Sequence, residues 1–218
     1  MRESGPLDVS DLPAVPGAGS ARARTAIVGA IFFLSGAAAL VYQISWQRLL
    51  FTSFGVDIES VTIVVSTFML GLGTGAIGGG ALADRFHSRL LVLFALCELG
   101  IGIFGLVSVP LIRALGEVFA TSPRAVVGAV NFAVLLVPTS LMGATLPILV
   151  TDAVRRKGGV GVSIGGLYFV NTLGAASGAL ALGLGLFAVL ELSQAIAAAA
   201  LVNFAVASGG AFLAWRER

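Results

Sequence analysis

The sequence predicts an all-α, polytopic membrane protein built as a bundle of six transmembrane helices. Three observations carry this reading. Of 218 residues, 57% are hydrophobic and only 11% are charged, whereas a soluble domain carries about a quarter charged residues. Too few charges remain to cover a water-facing surface, and the mean hydropathy is +1.02. Finally, six separate stretches reach the roughly 20 mainly apolar residues that a helix needs to cross a hydrocarbon core.

The first 24 residues are rich in Pro, Gly, Ala and Ser and show no apolar period. They read as a disordered tail (1–24), with the membrane domain occupying 25–218. The first span covers about 26–46. Its apolar run continues through Val41, too far for the short core of a cleaved leader, so it is read as a retained helix. Tyr42, Gln43, Trp46 and Arg48 close this span. Tyr42 and Trp46 share a face and suit an interfacial aromatic belt; the same pair could wall a cation site.

The second span, about 59–82, contains Gly73, Gly75 and Gly78 in a formal G-x-G-x-x-G. A dinucleotide site would need a strand before it and a helix starting at it. Neither context exists inside a membrane span. The four-residue spacing of Gly71, Gly75 and Gly79 instead predicts a face for close helix packing. The loop that follows holds Asp84, Arg85, His87 and Arg89. Asp84 can pair with Arg85 or Arg89 at helix ends and latch one conformation; simple charge anchoring would explain the arginines but not the aspartate. His87 reads as a solvated loop residue.

The third span, about 90–112, carries Glu98 eight positions in, or about 12 Å deep at about 1.5 Å per residue. An ionised carboxylate at such depth is costly, and such residues face a bundle interior or a pathway. Ala95, Gly102 and Gly105 share its face. Glu98 is therefore either a proton-coupling or cation-binding carboxylate, or a protonated or paired group that locks helices together. The lone cysteine, Cys97, precedes it and can form no internal disulfide.

Spans four to six run at about 126–149, 162–189 and 192–214. Bends are expected from Pro110, Pro138 and Pro147, which neighbouring helices can tolerate. Asn131, Asn171 and Asn203 sit within these spans, and interhelical hydrogen bonding is the default role for such amides. The Arg155-Arg156-Lys157 run anchors the loop after span four, with anionic lipid as a partner.

Lys and Arg set the orientation. The side with both termini holds ten: Arg2, Arg22, Arg24, Arg85, Arg89, Arg155, Arg156, Lys157, Arg216 and Arg218. The other side holds three: Arg48, Arg113 and Arg124. Both termini are accordingly expected in the cytoplasm, with the chain in the plasma (inner) membrane. No nucleophile elbow, phosphate loop, paired-His zinc motif or basic-aromatic pattern is present. Enzymatic activity, cofactors, metals and nucleic acid are not expected.

Several segments together resemble the membrane region of fused spermidine synthase-like proteins, which join a facilitator-like bundle to an aminopropyltransferase-like domain. They are Leu34–Tyr42, Trp46–Leu50, Phe68–Gly75, Glu98–Gly102, Pro138–Pro147 and Gly166–Gly174, in order over about residues 30–190. The Gly80-Ala-Leu-Ala-Asp84-Arg85 stretch also resembles the loop motif of major facilitator transporters. The resemblance implies half a facilitator, two three-helix repeats, acting on a small cation such as a polyamine. Glu98 would bind the cation or proton, Asn171 and Asn203 would line the path, and Asp84, Arg85 and Arg89 would gate it. Two departures stand out. Gln43 occupies a position where the family has an acid, and the soluble domain is not in this sequence, so aminopropyl transfer is not carried over. A non-transporting anchor for a soluble aminopropyltransferase-like partner is the rival expectation, and a fragment of a longer enzyme is a third. A homodimer would supply the twelve helices that related transporters use.

Overall fold

The computed structural model describes residues 18–54, 57–157 and 159–217. Its helices are α1 (Ala18–Phe54), α2 (Asp57–Arg85), α3 (Leu90–Val118), α4 (Arg124–Lys157), α5 (Val160–Ala181), a one-turn α6 (Phe187–Val189) and α7 (Leu192–Arg216). Among the described residues, six segments are long and apolar enough to cross a membrane: Arg22–Thr52, Val61–Arg85, Leu90–Val118, Arg124–Arg156, Val160–Val189 and Leu192–Arg216. The chain is thus a multi-pass membrane protein. Helix is the form a spanning segment must take, because lipid offers no partner to a free backbone N–H or C=O.

Two expectations change here. Residues 1–17 lie outside the described residues, but Ala18–Arg24, assigned to the tail, begin α1. After Pro16 no proline interrupts this stretch, and its alanines and arginines favour helix. The fifth span is also not one straight helix. Its backbone leaves helical geometry at Gly185, inside a wide π turn at Leu182–Leu186, before α6 resumes. Pro110, Pro138 and Pro147 all lie within continuous helices.

The most extensive helix pair is α2 with α4, followed by α1 with α5 and α3 with α7; α1 also packs on α7, and α3 on α4. Glycine sets the closest seams. Gly71, Gly75 and Gly79 of α2 face Thr139, Ser140 and Ala144 of α4, and a Cβ at Gly79 would stand 2.5 Å from Ala144 Cα. Across the bundle, Gly174 and Gly178 of α5 press on the backbone of Phe33 and Ala37 in α1. In lipid, helix association draws on van der Waals packing instead of a hydrophobic drive, so small residues that admit a neighbouring backbone carry it.

Two apolar clusters fill the interior. One, toward the end where α1 begins and α7 ends, includes Phe32, Phe94, Ile148, Leu149 and Val206. The other, toward the opposite end, includes Tyr42, Trp46, Phe68, Ile101 and Ile196. A thin polar layer separates them.

Candidate functional site

The polar layer is centred on Glu98. Its carboxylate is fully buried. Ser35 Oγ of α1 donates to Oε1 at 2.5 Å, and Asn203 Nδ2 of α7 donates to Oε2 at 2.6 Å. Three spans therefore converge on one carboxylate, each through a residue flanked by apolar positions. Both donors are neutral. No Lys, Arg or His is among the hydrogen-bond partners that Glu98 has in the described residues. Charge-assisted bonds of this kind are about twice as strong as neutral ones, yet they leave the negative charge itself unbalanced.

Beside the carboxylate lies a cavity of about 60 Å³, lined by Ser35, Ala39, Leu72, Ile101, Met142, Thr145, Asn171 and Asn203. All six spans contribute to this wall. The cavity has room for a few waters. Glu98 stands just behind it, one hydrogen bond away through Ser35 and Asn203. The Thr145 hydroxyl donates to Met142 O at 2.7 Å. Asn203 Oδ1 is buried and has no hydrogen-bond partner among the described residues.

Of the residues singled out in the sequence, Glu98, Asn171 and Asn203 come together here. Asn171 lines the cavity, and its backbone lies against Gly36 of α1. Tyr42 and Trp46 do not form an interfacial belt. Both rings are fully buried, stacked at 4.9 Å between centroids, and Trp46 Nε1 donates to Ser108 Oγ of α3 at 3.0 Å. The face they share turns inward because Gly105 of α3 leaves room for the Tyr42 ring. Gln43 is half-buried and does not line the cavity. Asn131 Nδ2 bonds within its own helix, to Val127 O at 2.9 Å.

Asp84, Arg85 and Arg89 are exposed, as is His87. Among the described residues no ion pair joins Asp84 to either arginine. The ion pairs at this end run elsewhere, in a closed ring. Arg24 of α1 binds Asp152 of α4 at 2.6 Å and Glu217, just past α7, at 2.5 Å. Arg156 binds Asp152 at 3.1 Å and also pairs with Glu217. Arg89 and His87 line a cleft of about 600 Å³ that reaches Asp152, Arg156 and Glu217.

Sequence reasoning missed Ser35, Thr145 and this ring. The i, i+4 spacing of Asp152 and Arg156 was a local signal for one of its bonds. Arg24 and Glu217 are 193 positions apart, and only the fold joins them. No protein-family model, curated protein or solved structure matches this chain.

Proposed function

We propose that this chain is a facilitator-like membrane module that carries or senses a small cationic metabolite, with polyamines the first class to test and Glu98 the cation or proton site. One observation carries the reading. Among the described residues, a fully buried carboxylate accepts hydrogen bonds only from the neutral side chains Ser35 and Asn203, against a cavity to which all six spans contribute. An acid so placed needs a positive charge that the bundle itself does not bring to it.

The helix pairing supports two three-helix repeats. α2 packs on α4 as α5 packs on α1, α1 packs on α7 as α4 packs on α3, and α1 touches α2 as α4 touches α5. Exchanging each span with the one three further on reproduces these pairs, while α1 on α3 has no counterpart of like extent in α4 on α7. Three is odd, so the second repeat would be inverted in the membrane, a common transporter plan with the site at the midplane. Ten Lys and Arg against three favour cytoplasmic termini in a plasma (inner) membrane. On that orientation the Arg24–Asp152–Arg156–Glu217 ring is a cytoplasmic tie, and Asp84, Arg85 and Arg89 border the cleft beside it.

A second reading, a non-transporting anchor for a soluble aminopropyltransferase-like partner, is favoured by cavity size. The small cavity suits a few waters or an ion better than a long polyamine. Uptake of labelled putrescine and spermidine into proteoliposomes separates the two, comparing wild type with Glu98→Gln. Saturable uptake that the variant lacks is expected of the transporter. Uptake no greater than that of empty vesicles, from folded protein, removes it and leaves the anchor, to be tested by a search for the soluble partner.

A further inference from the structure

The cavity beside Glu98 is rich in oxygen acceptors. The Ser35 hydroxyl proton is committed to Glu98, and the Thr145 hydroxyl proton to Met142 O. A hydroxyl oxygen that has given its proton away presents only lone pairs to its remaining side. Asn203 turns its amide nitrogen to Glu98, and its carbonyl oxygen, on a side chain 1% exposed, has no partner. Asn171 adds a further amide to the wall, with one acceptor oxygen and an NH2 group. A buried acceptor left without a donor carries a desolvation cost. A water brings only two protons. A cation can be held by several such oxygens together.

The charge and the space narrow the choice. One carboxylate stands one hydrogen bond behind the wall, so a monovalent ion balances the site while a divalent ion would leave a buried excess charge. Hydroxyl and amide oxygens are hard ligands and suit a hard metal ion. The room, about 60 Å³, suits an ion with a water or two.

We propose that Ser35, Thr145, Asn171 and Asn203 form a binding site for a dehydrated monovalent metal cation of sodium size, with Glu98 supplying the balancing charge. This rests on Glu98 as a cation site but not on the transport of any metabolite. The metabolite, if one is moved, would engage the protein elsewhere along its path, and the metal ion would be the coupling or structural partner.

The test is equilibrium binding of radioactive sodium to purified protein in detergent, with choline as the inert replacement at constant ionic strength, alongside thermal unfolding in the same buffers. The expected result is saturable binding and a sodium-dependent rise in Tm. Both should vanish in Glu98→Gln. Thr145→Val, which removes one ligand oxygen and keeps the side-chain shape, should weaken binding at least fivefold and keep the fold if Glu98→Gln does not. Equal Tm in sodium and choline with no bound sodium overturns the site. So does sodium binding that survives undiminished in both variants. Saturation by ammonium or methylammonium but not sodium also overturns it, and leaves Glu98 as an amine site. Polyamine uptake that depends on Glu98 without any sodium binding overturns this inference while the proposed function stands. Sodium binding without uptake upholds this inference and removes the transporter.

Discussion

Glu98 has both carboxylate oxygens committed, one to Ser35 and one to Asn203, and that pairing sets what substitution will do. Leaving a buried charged acceptor short of a donor costs about 1–3 kcal/mol or more, whereas removing both partners together can be nearly neutral. Asn203→Leu is therefore expected to lower stability by about 1–3 kcal/mol. Glu98→Leu with Asn203→Leu should be more stable than Asn203→Leu alone. Unfolding in mixed detergent micelles, run as a double-mutant cycle, measures the difference; additive effects would mean the bond contributes nothing. Trp46 offers a spectroscopic check at the same scale. It is fully buried while Trp215 is 70% exposed, so Trp215→Phe should leave a blue-shifted emission and Trp46→Phe a red-shifted one. Glu98 was legible in the sequence because an acid inside an apolar run is conspicuous. Ser35 was not, since a lone serine in such a run has many uses. Tyr42 and Trp46 misled because their spacing fits a belt as well as a core, and only the gap left by Gly105 decides.

At the scale of the helices, the glycine seams separate positions that look alike in sequence. Gly75 faces Ser140 of α4, whereas Gly73, two residues earlier, has nothing within contact of an added Cβ. Gly75→Leu must push α2 off α4, and overpacking of this kind costs about 1–3 kcal/mol or more. Gly73→Ala should be neutral or stabilising by up to about 1 kcal/mol, as alanine is the better helix former. Thermal melts in detergent distinguish them; equal behaviour would argue against the α2–α4 seam. The four-residue spacing of Gly71, Gly75 and Gly79 was visible in advance. Its partner was not, because any helix can fill a groove. The break at Gly185 was also hidden, since prolines attract the expectation of a kink while glycine permits one without announcing it.

Across the whole molecule, the ring of Arg24, Asp152, Arg156 and Glu217 ties α1, α4 and α7 at one end. Asp152 is the keystone, with its side chain 7% exposed and bound to both arginines. Asp152→Asn should cost about 1–2 kcal/mol, between the worth of a surface pair and a buried one. It should also loosen that end of the bundle. Cys97, buried in the apolar cluster on this side and the sole cysteine of the sequence, is a native reporter. Its reaction with a maleimide should speed up several-fold in Asp152→Asn. An unchanged rate would show that the ring does not hold this end closed.

The sequence by itself determined that the described residues hold six segments long and apolar enough to cross a membrane, and that Glu98 lies inside the third. Apolar length and charge placement are local quantities, and lipid leaves helix as the form a spanning segment can take. Only the tertiary structure decided which polar groups meet. Ser35, Glu98 and Asn203 are 63 and 105 positions apart along the chain, and Arg24 lies 128 from Asp152. Such meetings depend on the rotation and register of each helix against its neighbours. Those are fixed by where glycine lets two backbones touch, a property of pairs of helices that no single stretch of sequence carries.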